Sequence, residues 1–398
     1  MNNEKKLTTR SVLIETLMFL AYAFFAVNWI AGSNLTPKIL DAFNLQGPNS
    51  VSLINNVVTV AKILGNLIAA TIFTKLYPKK SIALGAFLVP AGAMLAALSP
   101  NFTIFLIGRF VMGFGGALFV VYFSPVVVNY FHPDHRPVVN ALNNVSYNVG
   151  SIIALLVLGP VISLVGLGRY ALVVFALISF AIFIGWMIVG EDFKITKTND
   201  KNEKDFTLKD AFKEKIAILM PTMYFGHLTM YMVMLNIFPN TNFSPLPANI
   251  ISTLFTVGAL IGTLLSIFVS KKSKKRVPVL RVAGILTTII VLSLVNTTNA
   301  TLASILALSL GTIMYVPLTN FVLIVQEIPG MYSEKLTQIM SVYWALVYIF
   351  ETIAYQVIVN IQFKFGDKTA LIATGILSGT FIIGSFIMKE PEEWAKEN

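Results

Sequence analysis

The chain has 398 residues, of which 56% are hydrophobic and only 12% are charged, with a mean hydropathy of +0.76. A soluble domain carries about twice that share of charged residues, so the composition indicates a membrane protein. The sequence contains no cysteine, which excludes disulfides and thiolate metal sites, and its three histidines are too few for most histidine-based metal sites. We therefore expect no metal and no cofactor.

Twelve long apolar stretches follow one another along the chain, each long enough to cross a bilayer as a helix of about 20 residues. We predict these spans at residues 11–33, 49–73, 81–99, 102–126, 138–163, 169–190, 215–238, 248–270, 277–296, 301–325, 336–361 and 368–388. A polar, charge-dense segment separates the first six from the last six. The prediction is therefore an all-α polytopic membrane protein with an N-terminal six-helix bundle (1–190), a cytoplasmic linker (191–214) and a C-terminal six-helix bundle (215–398).

The distribution of basic residues predicts the orientation in the membrane. If the N-terminus is cytoplasmic, the internal segments hold 22 of the 29 Lys and Arg residues and the external loops hold four. Cytoplasmic loops of membrane proteins carry such an excess. We therefore expect a multi-pass protein of the cytoplasmic membrane with both termini in the cytoplasm. The net charge of +10 then reflects topology, and we expect no nucleic-acid partner.

The loop after the second span resembles the loop signature of the major facilitator superfamily, in which an Asp precedes a run of basic residues around a Gly. Lys75, Lys79 and Lys80 match the basic positions, whereas Thr74 replaces the Asp and Tyr77 replaces the Gly. In that family the Asp contacts the start of helix 11 and helps to lock one conformation. The resemblance implies that this loop is the conformational loop, with a hydroxyl in place of the charge.

The fourth span resembles the helix-4 signature of the same family, an Arg followed by small residues. Gly108 and Arg109 are followed by Gly113, Gly115 and Gly116, glycines that we expect to permit close helix approach. The resemblance covers essentially the whole chain. It implies two pseudo-symmetric bundles around a central cavity and alternating access between the two sides of the membrane.

A polar stripe runs through the second span. Asn55, Thr59, Lys62 and Asn66 are spaced i, i+4, i+7 and i+11, which places them on one helix face. Lys62 is near mid-membrane, where an ionised group costs several kcal/mol unless it is paired or hydrated. We predict that this stripe binds substrate, with Lys62 holding a negative group; the alternative is a lysine paired only for packing.

A second stripe lies on the eleventh span, where Tyr348, Glu351 and Tyr355 share a face. In the family's fold helices 2 and 11 face each other, so the resemblance implies that Glu351 and Lys62 can pair. The pair could open during transport, with Glu351 taking a proton, or it could be a static ion pair. We predict that Tyr348 and Tyr355 contact substrate.

Two further ionisable residues lie within spans. His227 in the seventh span suits proton coupling because imidazole titrates near neutral pH; a packing role is the equal alternative. Arg109 suits a carboxylate, although its motif is often structural or part of a proton relay. Asn28 and Tyr315 are candidate neutral hydrogen-bond donors to substrate, with helix packing as the alternative.

These features predict a secondary active transporter, without enzymatic activity, for a small polar solute, an organic anion or zwitterion. We expect proton symport by a monomer in the lipid bilayer. Efflux of drugs or lipophilic cations by proton antiport, and uncoupled facilitated diffusion, remain alternatives. A non-transporting sensor or intramembrane enzyme is a further alternative, but no metal-ligand cluster, Ser/His pairing or Asp pair supports it.

Overall fold

The computed structural model describes residues 8–131, 135–193, 208–242, 244–330 and 333–394. Within these residues, twelve helical segments are long and apolar enough to cross a membrane. The predicted all-α polytopic fold is therefore confirmed, and the predicted spans agree with the helices to within a few residues. Most of the predicted linker and the side chain of Thr74 lie outside the described part of the chain.

The chain divides into two compact units, Met1–Gln46 with Leu53–Asn199, and Gly47–Ser52 with Asp200–Asn398. The helices up to residue 189 are α1 (Thr9–Asn34), α2 (Thr36–Ala42), α3 (Pro48–Ala97), α4 (Phe102–Tyr130), α5 (Arg136–Val165) and α6 (Gly168–Val189). The first residues of α3 group with the second unit, and the rest of these helices belong to the first.

The helices of the second unit include several interrupted spans. They are α7 (Leu208–Ala211), α8 (Lys215–Asn236), a 3-10 turn (Phe238–Asn240), α9 (Ala248–Lys272), α10 (Val277–Asn296), α11 (Ala300–Tyr315), α12 (Leu318–Gln326), α13 (Ser333–Phe365), α14 (Asp367–Leu377), α15 (Thr380–Ile387) and α16 (Pro391–Trp394). The tenth span divides into α11 and α12 beside Pro317, because proline has no N–H for the helical ladder. Ser378 and Gly379 divide the twelfth span in the same way.

Asparagine caps recur at matching places in the two units. The Asn101 side chain accepts a 2.9 Å hydrogen bond from the backbone N–H of Ile104 at the start of α4. Asn299, which is 198 residues later, accepts one of the same length from Leu302 at the start of α11. Such a cap satisfies one of the free N–H groups that begin every helix. The fourth and tenth spans therefore begin alike.

Carboxylates that follow the last span of each unit form a second repeat. Asp192 accepts a 2.9 Å hydrogen bond from the backbone N–H of Lys79, where the third span begins. Glu390, also 198 residues later, accepts from the N–H groups of Arg276 and Val277 at the start of α10. A carboxylate at a helix N-terminus is favoured by the helix dipole. Two repeats at one offset indicate that both units have the same internal plan.

Glycines allow the closest helix pairs in each unit. A Cβ on Gly150 of α5 would lie 1.9 Å from the carbonyl oxygen of Ala23 on α1, and a Cβ on Gly311 of α11 would lie 1.8 Å from that of Phe255 on α9. Neither approach is possible with a larger residue. Membrane helices associate through such small residues because the hydrophobic effect does not drive association within lipid.

Candidate substrate site

Lys62 lies within the first unit among three aromatic rings. Its side chain is only 2% exposed. The ammonium nitrogen is 4.9 Å from the ring centre of Trp29, 5.9 Å from that of Tyr147 and 6.0 Å from that of Phe25. A cation within about 6 Å of an aromatic face is attracted by the ring quadrupole, more strongly when water is excluded. The rings therefore offset part of the cost of holding a charge in the membrane.

The rings around Lys62 come from two helices that pack together. Tyr22, Phe25 and Trp29 are spaced i, i+3 and i+7 on α1, so they share one face. Tyr147 on α5 lies 5.8 to 6.5 Å from each of these rings, measured between ring centres. The Trp29 Nε1–H also donates a 3.0 Å hydrogen bond to the Asn55 side-chain oxygen. This aromatic cluster was missed in the sequence, although the spacing on α1 is a usable signal.

The predicted polar stripe on α3 is largely buried. Asn55, Thr59 and Lys62 are each exposed by 2% or less, and Asn66 is half-buried. Thr59 donates its hydroxyl hydrogen to the backbone oxygen of Asn56, within its own helix. The structure therefore places Asn55 and Lys62 beside the α1 rings.

Arg109 is buried in the first unit, where its guanidinium contacts the backbone of two other helices. It donates hydrogen bonds of 3.1 and 3.2 Å to the oxygen of Ile54 on α3. It also donates to the backbone oxygens of Asn28 and Trp29, and to the Ser33 hydroxyl at 2.9 Å, all on α1. These contacts support a role in fixing α1 against α3 behind the Lys62 cluster; the predicted contact of Arg109 with substrate remains a prediction.

Asn28 also makes contacts within the protein. Its side-chain nitrogen donates a 2.9 Å hydrogen bond to the Ser179 hydroxyl on α6 and a 2.7 Å bond to the backbone oxygen of Phe24. Asn28 is 3% exposed. These bonds favour the packing alternative for Asn28 over its predicted contact with substrate.

The second unit holds an aromatic cluster around His227. The imidazole is fully buried on α8, with its ring centre 4.1 Å from that of Phe381 on α15 and 6.4 Å from that of Tyr224. Tyr224 in turn stacks on Phe321 of α12, and both rings contact Tyr343 of α13. His227 therefore packs where the twelfth span is interrupted, beside Ser378 and Gly379.

Glu351 is fully buried on α13 in the second unit. Tyr348 and Tyr355, which share its helix face, are 6% and 2% exposed. Trp344 stacks on Tyr348 with 5.7 Å between ring centres. On α11, Tyr315 packs its ring 5.8 Å from that of Tyr231. The predicted pairing of Glu351 with Lys62 remains a prediction.

The loop between the second and third spans has an unusual backbone. Tyr77 adopts φ 64° and ψ 161°, a region that is populated almost only by glycine. This is the position at which the family signature carries its second Gly. Lys75 and Lys80 are exposed, whereas the Lys79 carbonyl accepts a 3.1 Å hydrogen bond from the Trp186 indole. The family's backbone bend is therefore kept here without the glycine that favours it.

Acidic residues missed in the sequence fix the same ends of the bundles. Arg10 pairs with Glu191 at 2.9 Å in the first unit, and Arg276 pairs with Glu327 at 2.7 Å in the second. Tyr130 donates its hydroxyl hydrogen to Glu191. Burial and this neighbouring carboxylate raise the pKa of Tyr130 above its ordinary value, so the hydroxyl stays protonated. The only signal in the sequence was the position of acids directly after the sixth span.

Twelve membrane-length helices in two units, with charged side chains buried inside their spans, define a polytopic membrane protein of the class that includes the solute carriers. The chain belongs to the Major Facilitator Superfamily, whose description matches residues 17–355. The resemblance seen in the loop and in the fourth span is therefore confirmed.

Similar proteins agree with this assignment of the fold. The structure of a bacterial homologue of the human lysosomal transporter Spinster, inward-facing and unoccupied, superposes with a TM-score of 0.68 at 12% identity, covering 96% of this chain and 98% of that one. The uncharacterized protein Cj0987c of Campylobacter jejuni is 30% identical over 222 residues, 54% of this chain and 66% of its own length. The uncharacterized protein mhp246 of Mesomycoplasma hyopneumoniae is 25% identical over 234 residues, 53% of this chain. The chain spans about half to two thirds of the length of these two relatives.

Proposed function

We propose that this protein is a secondary transporter that carries a small organic anion or zwitterion across the cytoplasmic membrane in symport with protons. In this proposal the protein works as a monomer with both termini in the cytoplasm. The substrate crosses by alternating access of the two units. A solute gradient and a proton gradient supply the driving force.

The observation that carries the proposal is the burial of Lys62 in a cluster of aromatic rings. A lysine near an end of a span extends its ammonium into the interfacial water. Lys62 lies 14 residues from Pro48 and seven from Ala69, the two ends of its span, and it is 2% exposed. The second of these distances is about 10 Å along a helix. The cost of burying this charge is explained if the charge is needed for an anionic substrate.

The aromatic rings extend what Lys62 can bind. A carboxylate would take a hydrogen bond from the ammonium, while the Trp29 and Tyr147 rings would contact the uncharged part of the solute. Asn55, which already accepts from Trp29, would orient the solute through its amide. A cluster of this composition favours an organic anion over a lipophilic cation, which would be repelled by Lys62.

Glu351 and His227 are the proposed proton-carrying groups. Both are fully buried in the second unit, where an ionised form is unfavourable without a partner or water. A buried carboxyl or imidazole that gains water as the transporter changes state would change its protonation. This coupling makes symport with protons the expected mode.

A binding screen tests the substrate class. Purified full-length protein is heated in detergent with small carboxylates, amino acids, sugars, nucleosides and lipophilic cations at pH 5.5 and 7.5. A ligand of the native state raises the unfolding temperature by mass action. We expect stabilisation by a carboxylate or zwitterion that is lost in Lys62→Gln and kept in Lys38→Gln, a matched change at an exposed lysine. Stabilisation by lipophilic cations alone would refute the proposal.

A further inference from the structure

A cavity beside the N-terminal end of α1 contains a buried carboxylate that the proposed function does not use. The cavity has a volume of about 390 Å³. Its walls are mainly apolar and come from Val12 and Phe19 on α1, Phe131 after α4, and Leu142 on α5. Glu15 lines the same cavity and is only 6% exposed.

Glu15 has no hydrogen-bond partner for either carboxylate oxygen among the residues that the structure describes. Its polar neighbour is Asn143 on α5, and the side-chain oxygen and nitrogen of Asn143 also lack partners there. Buried polar groups are almost always hydrogen-bonded in native proteins. A cluster of unsatisfied acceptors that lines a cavity therefore points to a ligand that donates hydrogen bonds.

Basic side chains near this carboxylate are engaged elsewhere or exposed. Arg10, on the same helix, pairs with Glu191 at 2.9 Å and donates to the backbone oxygen of Val189. His135 lies at the rim of the cavity and is exposed. Among the described residues, the charge of Glu15 therefore has no internal counter-ion.

The apolar walls constrain the rest of the ligand. Phe131 and Val139 are buried against Val127 and form a packed floor. Val12 and Leu142 are 47% and 46% exposed and form an open apolar rim. A ligand that fills the cavity would place a cation at Glu15 and lay an apolar chain along this rim.

We propose that the cavity at Glu15 binds the primary ammonium group of an amphiphilic amine. A primary ammonium has three N–H donors, which match the two Glu15 oxygens and the Asn143 oxygen. Charge complementarity distinguishes this ligand from a fatty acid or a neutral detergent, which would leave a carboxylate unpaired at high cost. The same head group occurs in a free long-chain amine and in phosphatidylethanolamine.

Decylammonium is the probe for the first test, used below its micelle concentration with purified full-length protein. We expect saturable binding, weakened about tenfold or more in Glu15→Gln, since a charge-assisted hydrogen-bonding partner is lost. Asp41→Asn, which removes an exposed acid, should bind like the wild type. Decanoate, with the same tail and the opposite charge, should not compete. Equal binding to Glu15→Gln, or equal competition by decanoate, would refute the proposal.

A second variant keeps the test decisive if Glu15→Gln fails to fold. Leu142→Trp retains the carboxylate and fills the rim, and it should also weaken decylammonium binding; undiminished binding in this variant would refute the site. Nanodiscs of phosphatidylglycerol with or without phosphatidylethanolamine then distinguish the two sources. Displacement of decylammonium by phosphatidylethanolamine assigns the site to the lipid head group, and lack of displacement assigns it to free amines.

Discussion

The Lys62 ammonium lies 4.9 Å from the centre of the Trp29 ring, and the Trp29 indole donates a hydrogen bond to Asn55, two turns before Lys62 on the same helix. One side chain of α1 thus contacts both polar residues of α3. The arrangement fixes where the lysine charge lies and keeps an aromatic face beside it. It links the packing of two helices to the proposed binding of an anion.

Replacement of Trp29 tests this link. We expect Trp29→Leu to lower the free energy of unfolding by about 3–5 kcal/mol, as for other buried aromatic truncations, and to weaken anion binding. Trp29→Phe keeps a ring beside Lys62 and should lose about 1–3 kcal/mol, the cost of leaving the Asn55 oxygen without its donor. Thermal unfolding in detergent measures both. An unchanged unfolding temperature in Trp29→Leu would contradict the proposed role.

Arg109→Lys distinguishes a structural role from a substrate contact. A lysine cannot reproduce the planar set of donors that contacts Ile54, Asn28, Trp29 and Ser33. We expect a loss of stability of about 2–4 kcal/mol, from charged hydrogen bonds worth about 1.5–3 kcal/mol each. Any variant protein that remains folded should bind the anion with wild-type affinity. If affinity falls while stability is kept, Arg109 contacts substrate instead.

Tyr77→Gly should stabilise the protein. The observed φ of 64° with ψ of 161° costs a non-glycine residue about 1–3 kcal/mol, against about 0.5–1 kcal/mol for the greater flexibility of unfolded glycine. We expect a net gain of about 1 kcal/mol, measured as a higher unfolding temperature. Leu76→Gly, one residue earlier, is the control and should lower it. A decrease in both variants would show that Tyr77 is not strained.

Removal of the repeated carboxylate caps should have similar effects in the two units. Asp192→Asn and Glu390→Gln each keep a hydrogen-bond acceptor but lose the charge at a helix N-terminus, which is worth about 0.3–1 kcal/mol, and up to about 2 when partly buried. Glu390 should give the larger loss, because it caps two N–H groups and Asp192 caps one. Unfolding at low ionic strength measures the difference. A larger loss for Asp192→Asn would contradict the ranking.

The spans were predictable because hydropathy over about 20 residues is a strong, local signal. The polar stripe on α3 was predictable too, because helical periodicity alone places Asn55, Thr59 and Lys62 on one face. The interruptions of the tenth and twelfth spans were missed. They depend on where backbone hydrogen bonds are exchanged, and only Pro317 marks one of them in the sequence.

The aromatic rings around Lys62 and the partners of Arg109 were not predictable. These contacts join residues of α1 to residues 26 to 120 positions later, and a single sequence contains no information on which faces of distant helices meet. Arg109 illustrates the point. Its residue type suits a carboxylate, yet its hydrogen bonds go to backbone oxygens on helices whose positions only the fold determines.

Proton-driven uptake by proteoliposomes tests the central claim most directly. The measurement is accumulation of the carboxylate or zwitterion that stabilises the protein, with an acidic exterior and a neutral interior, for wild type, Lys62→Gln and Lys38→Gln. The account predicts accumulation by wild type and Lys38→Gln that disappears when the pH gradient is collapsed, and none by Lys62→Gln. Accumulation by Lys62→Gln at the wild-type rate would contradict it.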